Sequence, residues 1–163
     1  MARIQAAIRG VGALLIGVVV MAVLGGVALY DKGRMGREQA AARECLAVAP
    51  AAAAALFSYD YRTFDASVAN GRSFATGSFA DEYGQTTAAL KDAAVKEQAV
   101  VTAQAESVGV ISSASGGQVD VLVYLNQYRR NINVTGEKVD QNRVVLTMTR
   151  VGGQWKVTAA QAI

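Results

Sequence analysis

Histidine is absent from the 163 residues, and cysteine, proline and tryptophan occur once each, as Cys45, Pro50 and Trp155. Without histidine there is no imidazole for acid/base catalysis or for a metal site. A single thiol excludes a disulfide framework. Cys45 also has no lysine, histidine or second cysteine beside it to draw the thiol toward its reactive, ionised form. Charge is scarce as well, at 18% of residues against 52% hydrophobic. The net charge of +3 is misleading, because Arg3 and Arg9 supply two of those units. From residue 31 onward 14 basic residues face 13 acidic ones. No basic stripe is left to neutralise a phosphate backbone, so nucleic acid is not a partner. Neither a phosphate-binding Walker loop nor a Gly-x-Ser-x-Gly elbow occurs.

The apolar excess is concentrated. Residues 10–30, GVGALLIGVVVMAVLGGVALY, are 21 positions without a charge. As a helix they span about 31 Å, the thickness of a hydrocarbon core. The run is longer than the apolar region of a cleaved signal peptide, so it reads as an uncleaved anchor. Arg3 and Arg9 flank one side, and Lys32, Arg34, Arg37 and Arg43 the other, so the flanking count alone does not set the orientation. The expected organisation is a short cytoplasmic segment, 1–9, a membrane helix, 10–30, an alanine-rich helical stalk, 31–56, and a folded domain, 57–163. Pro50 is expected to kink or break the stalk near Ala49.

Beyond the stalk, four of the ten Phe and Tyr residues crowd into Phe57, Tyr59, Tyr61 and Phe64. Asp65 suits the N-cap of a short helix, 66–69, closed by Asn70-Gly71. Ser78 to Asp81 has capping-box spacing and opens a longer helix through about Val101, with Phe79, Tyr83, Leu90 and Ala94 on one face. The period then shifts to two. Residues 106–111 read as a strand turned by Ser115-Gly116-Gly117. Val119, Val121, Val123 and Leu125 alternate along a second strand. The polar stretch 129–141 reads as a connection or a strand extension. Val144, Leu146 and Met148 mark a third strand, and the Gly152-Gly153 pair turns it into a last one carrying Trp155 and Val157. Helices first and an antiparallel meander second make an α+β layout, with helices packed on one face of a curved sheet.

Several stretches carry a resemblance: Ser58-Tyr59-Asp60-Tyr61, Thr76-Gly77-Ser78-Phe79-Ala80-Asp81-Glu82-Tyr83, Val121-Leu122-Val123-Tyr124-Leu125-Asn126-Gln127, and Arg150-Val151-Gly152-Gly153-Gln154-Trp155-Lys156-Val157. In this order, behind an anchor, they resemble the Mce-associated membrane proteins of mycobacteria and related actinobacteria. The resemblance implies a single transmembrane helix followed by a cystatin-like, nuclear-transport-factor-2-like cone on the outer side of the plasma membrane. It implies an accessory subunit of an Mce complex that imports lipids such as fatty acids or sterols. The partners it implies are the channel-forming Mce subunits, their permease and the membrane itself.

Of the carboxylates, Asp65 and Asp81 read as caps and Asp120 as part of a polar strand face. Asp60, between two tyrosines, reads mainly as a local hydrogen-bonding group. No catalytic, cofactor-binding or metal-ligating set is expected, so the chain reads as no enzyme and as needing no cofactor. Tyr59, Asp60, Tyr61, Phe79, Tyr83, Tyr124 and Trp155 are the candidates for a pocket or interface, with Trp155 chiefly a core residue. Two functions fit: a structural accessory subunit, or a module holding an apolar ligand between sheet and long helix, lined by Val119, Val121, Val123, Val144 and Leu146.

Overall fold

The structure, a computed structural model, describes residues 35–114 and 117–163. The apolar run 10–30 and the turn residues Ser115 and Gly116 lie outside the described residues. The chain divides into two compact units, Met1–Gln39 and Ala40–Ile163. The second unit holds the whole sheet and its core.

The first described helix, α1, runs over Met35–Phe57. By length and composition it would suffice to cross a membrane, with a mean hydropathy of 1.4 over its most apolar stretch. Its burial gives it a different role. Cys45, Ala49, Ala52, Ala53 and Leu56 follow one another at helical spacing, and all are buried in the main core. The segment expected to be a stalk is therefore the helix on which the sheet packs, and the domain begins well before residue 57. Pro50 does not break it, since the helix continues through that position. A proline inside a helix costs about 3 kcal/mol through one lost hydrogen bond and a ring clash. Burial of the residues on either side of it offsets that loss.

A five-stranded antiparallel sheet follows in simple meander order, β1-β2-β3-β4-β5. Its strands are β1 (Tyr59–Asp60), β2 (Val100–Ala114), β3 (Gln118–Arg130), β4 (Lys138–Val151) and β5 (Gln154–Ala162). Between β1 and β2 lie a 3-10 turn (Tyr61–Thr63) and the helices α2 (Phe64–Phe74) and α3 (Gly77–Lys96). The period-two reading holds best in β3, where Val119, Val121, Val123 and Leu125 are all buried. Val144, Leu146 and Met148 of β4 and Trp155 and Val157 of β5 complete that face. Gly152 and Gly153, at φ +58° and +82°, make the two-residue turn between β4 and β5, where left-handed backbone matches the strand twist. The polar stretch 129–141 is part strand and part connection: its two ends belong to β3 and β4, and 131–137 join them. β2 begins six residues earlier than expected, at Val100, so α3 stops at Lys96 instead of reaching Val101.

The helix boundaries also differ from expectation. α2 starts at Phe64 with Thr63 as its N-cap, so Asp65 is not the cap. Asp65 sits in the first turn and pairs with Lys91 of α3, Nζ to Oδ2 2.7 Å. α3 starts at Gly77 with Thr76 as N-cap and no side-chain capping bond, so Ser78 and Asp81 form no capping box. Gly77 enters the helix at φ +62°, a backbone conformation that favours glycine. α2 does not end at Asn70-Gly71 either. It runs on to Phe74 because Gly71 serves packing rather than termination. A β-carbon at Gly71 would overlap the Tyr83 ring of α3 and come within 2.9 Å of the Ala55 carbonyl oxygen of α1.

β2 is paired to β3 along its length, but on its other side β1 meets only Val100 and Val101. Ser58 Oγ accepts the next outward amide, from Ala103, at 2.8 Å. Register shifts leave Glu106 and Ile111 as extra residues in β2. A third shift, between β4 and β5, leaves Thr158 extra, and its hydroxyl donates to the Thr147 carbonyl at 3.2 Å.

Two outcomes test this packing. A chain starting at residue 35 should unfold cooperatively in urea, whereas one starting at residue 57 should show no cooperative transition, having lost one wall of the core. Gly71→Ala should destabilise by about 1–3 kcal/mol through overpacking, although alanine gains about 1 kcal/mol in helix propensity. An unchanged or raised urea midpoint would contradict the close approach.

Candidate functional site

A cleft with a predominantly apolar lining, about 330 Å³ in volume, lies between α3 and the end of the sheet. It forms because α3 is tied down at both ends. At its start the Thr76 amide donates to the Val157 carbonyl at 2.9 Å. Past its end the Ile132 amide donates to the Glu97 carbonyl at 3.0 Å, and Asn131 Nδ2 donates to the Glu97 carboxylate at 3.1 Å. Between these ties, Phe79, Tyr83, Thr87 and Leu90 present one half-buried face of α3 to the cleft. Leu56, Phe57 and Tyr59 wall it from the α1–β1 passage, Phe64 and Val68 from α2, and Gln127 and Ala160 from the sheet.

Three of the sequence candidates, Tyr59, Phe79 and Tyr83, meet in this cleft. Tyr59 stacks edge-on against Phe64 with centroids 5.6 Å apart, and Phe79 lies 6.4 Å from Tyr83. Burial pushes the Tyr83 phenol above its ordinary pKa. Burial does the same to Tyr59, with Glu97 adding to the rise and Arg129 opposing it. Both hydroxyls therefore stay neutral under physiological conditions. Thr87 donates to the Tyr83 carbonyl at 2.7 Å. Gln127 donates to the Phe57 carbonyl at 3.3 Å and accepts from Asn142 at 2.7 Å.

The other four candidates are elsewhere. Asp60 accepts the Arg62 backbone amide at 2.9 Å, capping the 3-10 turn. Its carboxylate also grips the Arg62 guanidinium two-pronged, with Nε at 2.9 Å and Nη2 at 2.6 Å. These bonds from Arg62 hold the Asp60 carboxyl below its ordinary pKa. Ionised Asp60 thus supports the fold above the usual carboxylate range, and that support is lost as pH falls through the lowered value. Tyr61 lies under the same guanidinium, 5.7 Å from ring centre to Arg62. Tyr124 is 45% exposed on the side of the sheet away from the core. Trp155 is 6% exposed and belongs to the core, where its Nε1 finds no acceptor among the described residues.

The residues expected to floor a pocket, Val119, Val121, Val123, Val144 and Leu146, are almost wholly buried in the core that α1 shares, and none of them lines the α3 cleft. Alternation along β3 and β4 marks a buried face but not what buries it. Among the lining residues that sequence reasoning did not assign to a site are Leu56, Val68, Thr86, Thr87 and Gln127. Thr87 had a usable signal, standing four residues from Tyr83 on the face already identified, and Phe64 had another, as a member of the aromatic cluster. Cys45 is buried with Sγ 3.5 Å from Met148 Sδ, and burial pushes its thiol pKa up to about 11. It is an inert core residue. No cluster of three or more potential metal ligands occurs among the described residues.

No family model matches the chain. Two uncharacterized proteins of Mycobacterium tuberculosis, from strains CDC 1551 and H37Rv, are each 27% identical over 121 residues. The match takes in 74% of this chain and 55% of each relative, so the chain spans about half the length of the curated relatives it matches. Among solved structures, an IcmL-like type IV secretion system protein of Legionella pneumophila superposes with a TM-score of 0.61 at 18% identity. The superposition takes in 72% of this chain and 88% of that one. CagV of Helicobacter pylori, a VirB8 homologue of a type IV secretion system, gives 0.59 at 10% identity, over 72% and 94%. The periplasmic domain of DotI gives 0.58 at 18%, over 72% and 91%. The domain therefore has the nuclear-transport-factor-2-like α+β fold of the VirB8 and DotI periplasmic domains.

Proposed function

We propose that this chain is a non-enzymatic accessory subunit, anchored in the plasma membrane by residues 10–30, whose extracytoplasmic domain scaffolds an envelope complex. The observation that carries this reading is the order of parts: an uncharged 21-residue run followed by a domain with the fold of secretion-system periplasmic domains. The chemistry of the domain agrees. Charged side chains are spent on local ties, among them Asp60–Arg62, Asp65–Lys91, Arg130–Glu137 and Arg150–Glu44. The complex we assign is an Mce-type lipid importer, with the channel-forming subunits and permease as partners. The sequence stretches quoted above support that finer assignment.

Three experiments bear on it. Alkaline phosphatase fused after Ile163 should be active, and an inactive but fully expressed fusion would reverse the orientation. The full chain, extracted in mild detergent, should co-purify with Mce channel subunits in fixed ratio, and its absence from them would remove the Mce assignment while leaving the scaffold role. Asp60→Asn should keep the cap, because asparagine caps as well as aspartate. The melting temperature should then move by no more than about 2 °C, with lipid uptake and protein abundance both intact. Normal abundance with abolished uptake would overturn the scaffold reading in favour of a chemical role for this carboxylate.

A further inference from the structure

The α3 cleft has a chemical bias that a scaffold does not need. Its floor is aromatic and aliphatic, supplied by Tyr59, Phe64, Phe79, Tyr83 and Leu90. Its rim is polar, formed by Glu82 and Thr86, both exposed and one helical turn apart on α3. Glu82 is the only charged side chain lining the cleft, and no lysine or arginine joins it. The cation next along α3 from Leu90, Lys91, is held by Asp65 with contacts of 2.7 and 2.8 Å. A carboxylate or phosphate head at this rim would face an unneutralised acid at close range. A hydroxyl head would instead donate to Glu82 and accept from the Thr86 hydroxyl.

We propose that this cleft binds the hydrocarbon chain of a single-chain neutral lipid whose hydroxyl end reaches Glu82 and Thr86. The volume of about 330 Å³ lies at the lower end of ligand pockets, which suits one chain and not a two-chain lipid. The neutral phenols of Tyr59 and Tyr83 keep the interior uncharged. Gln127 bonds the Phe57 carbonyl through its amide nitrogen and Asn142 through its oxygen, so this side chain is held in place by the protein. Lipid binding at this cleft goes beyond the scaffold role and does not depend on assembly into a larger complex.

The test uses the full chain in phosphatidylcholine vesicles. A sixteen-carbon fatty alcohol and the matching fatty acid, each carrying a photoreactive diazirine in the chain, are cross-linked in parallel and the adducts mapped by peptide mass spectrometry. Adducts on Tyr59, Phe79 or Tyr83 are expected, with the alcohol favoured over the acid by about tenfold, as expected for a close like-charge contact at a partly screened site. Glu82→Lys, an exposed substitution that leaves the core untouched, should reverse the preference toward the acid. Val68→Trp should fill the cleft and lower labelling by both probes at least fivefold. Equal labelling of the two probes, adducts confined to other parts of the chain, or a Glu82→Lys variant with unchanged preference would each overturn the proposal. Should Val68→Trp fail to fold, the Glu82→Lys comparison decides alone.

Discussion

Everything in the described domain depends on how closely α1 approaches the sheet. The contact face of α1 is built from Cys45, Ala49, Ala52, Ala53 and Leu56, four of which are very small. Small side chains bring the helix backbone close to β3 and β4, whose inward rows are valine, leucine and methionine. Large residues on the sheet thus face small ones on the helix, the complementarity that dense interiors require. The same closeness is repeated at Gly71, where α2 passes the Ala55 carbonyl and the Tyr83 ring with no room for a methyl group. Three helices thus meet around positions that carry little or no side chain. The two smaller helices are then fixed against α1 and one another, and α3 is held at an orientation that leaves space between its middle and the sheet.

Much of this was legible in the sequence because burial on one face writes a period. The alternation of Val119, Val121, Val123 and Leu125 gave β3 its face, and Gly152-Gly153 gave the turn. Phe79, Tyr83 and Leu90 gave the inward face of α3. The role of α1 was not read, although Cys45, Ala49, Ala52, Ala53 and Leu56 have helical spacing. Alanine is both the best helix former and a good core residue at close contacts, so an alanine-rich run announces a helix without declaring which side is buried. Pro50 added to the misreading, since its local cost is large and the packing that offsets it comes from strands some 70 to 100 residues away. Gly71 was read as a stop for the same reason: local rules treat glycine as a terminator, and only the third dimension shows Tyr83 and Ala55 beside it.

The candidate site was legible in part. Tyr59, Phe79 and Tyr83 stand out as aromatic residues near helix starts, and all three line the cleft. Asp60 and Tyr61 stand beside Tyr59 in sequence but are turned into a local cap and a cation–π contact by Arg62. Adjacent residues at a strand-to-helix junction point different ways, so sequence proximity could not separate them. The cleft's remaining walls come from α2, β3 and β5, which only the folded chain brings together.

The bare edge of β2 has a further physical meaning. Among the described residues, β2 is paired with β3 on one side and with β1 over only Val100 and Val101 on the other, and such an edge is a template on which another extended chain can grow. Residues 107–114, SVGVISSA, carry no charge to discourage that growth. The protection is geometric instead. The extra residues Glu106 and Ile111 break the regular spacing of outward amides and carbonyls and add local twist, so a straight strand cannot follow the edge for more than a few residues. For molecules held at high density on a common surface, such irregularity is a guard against runaway sheet polymerisation, and straightening β2 would trade solubility for regularity.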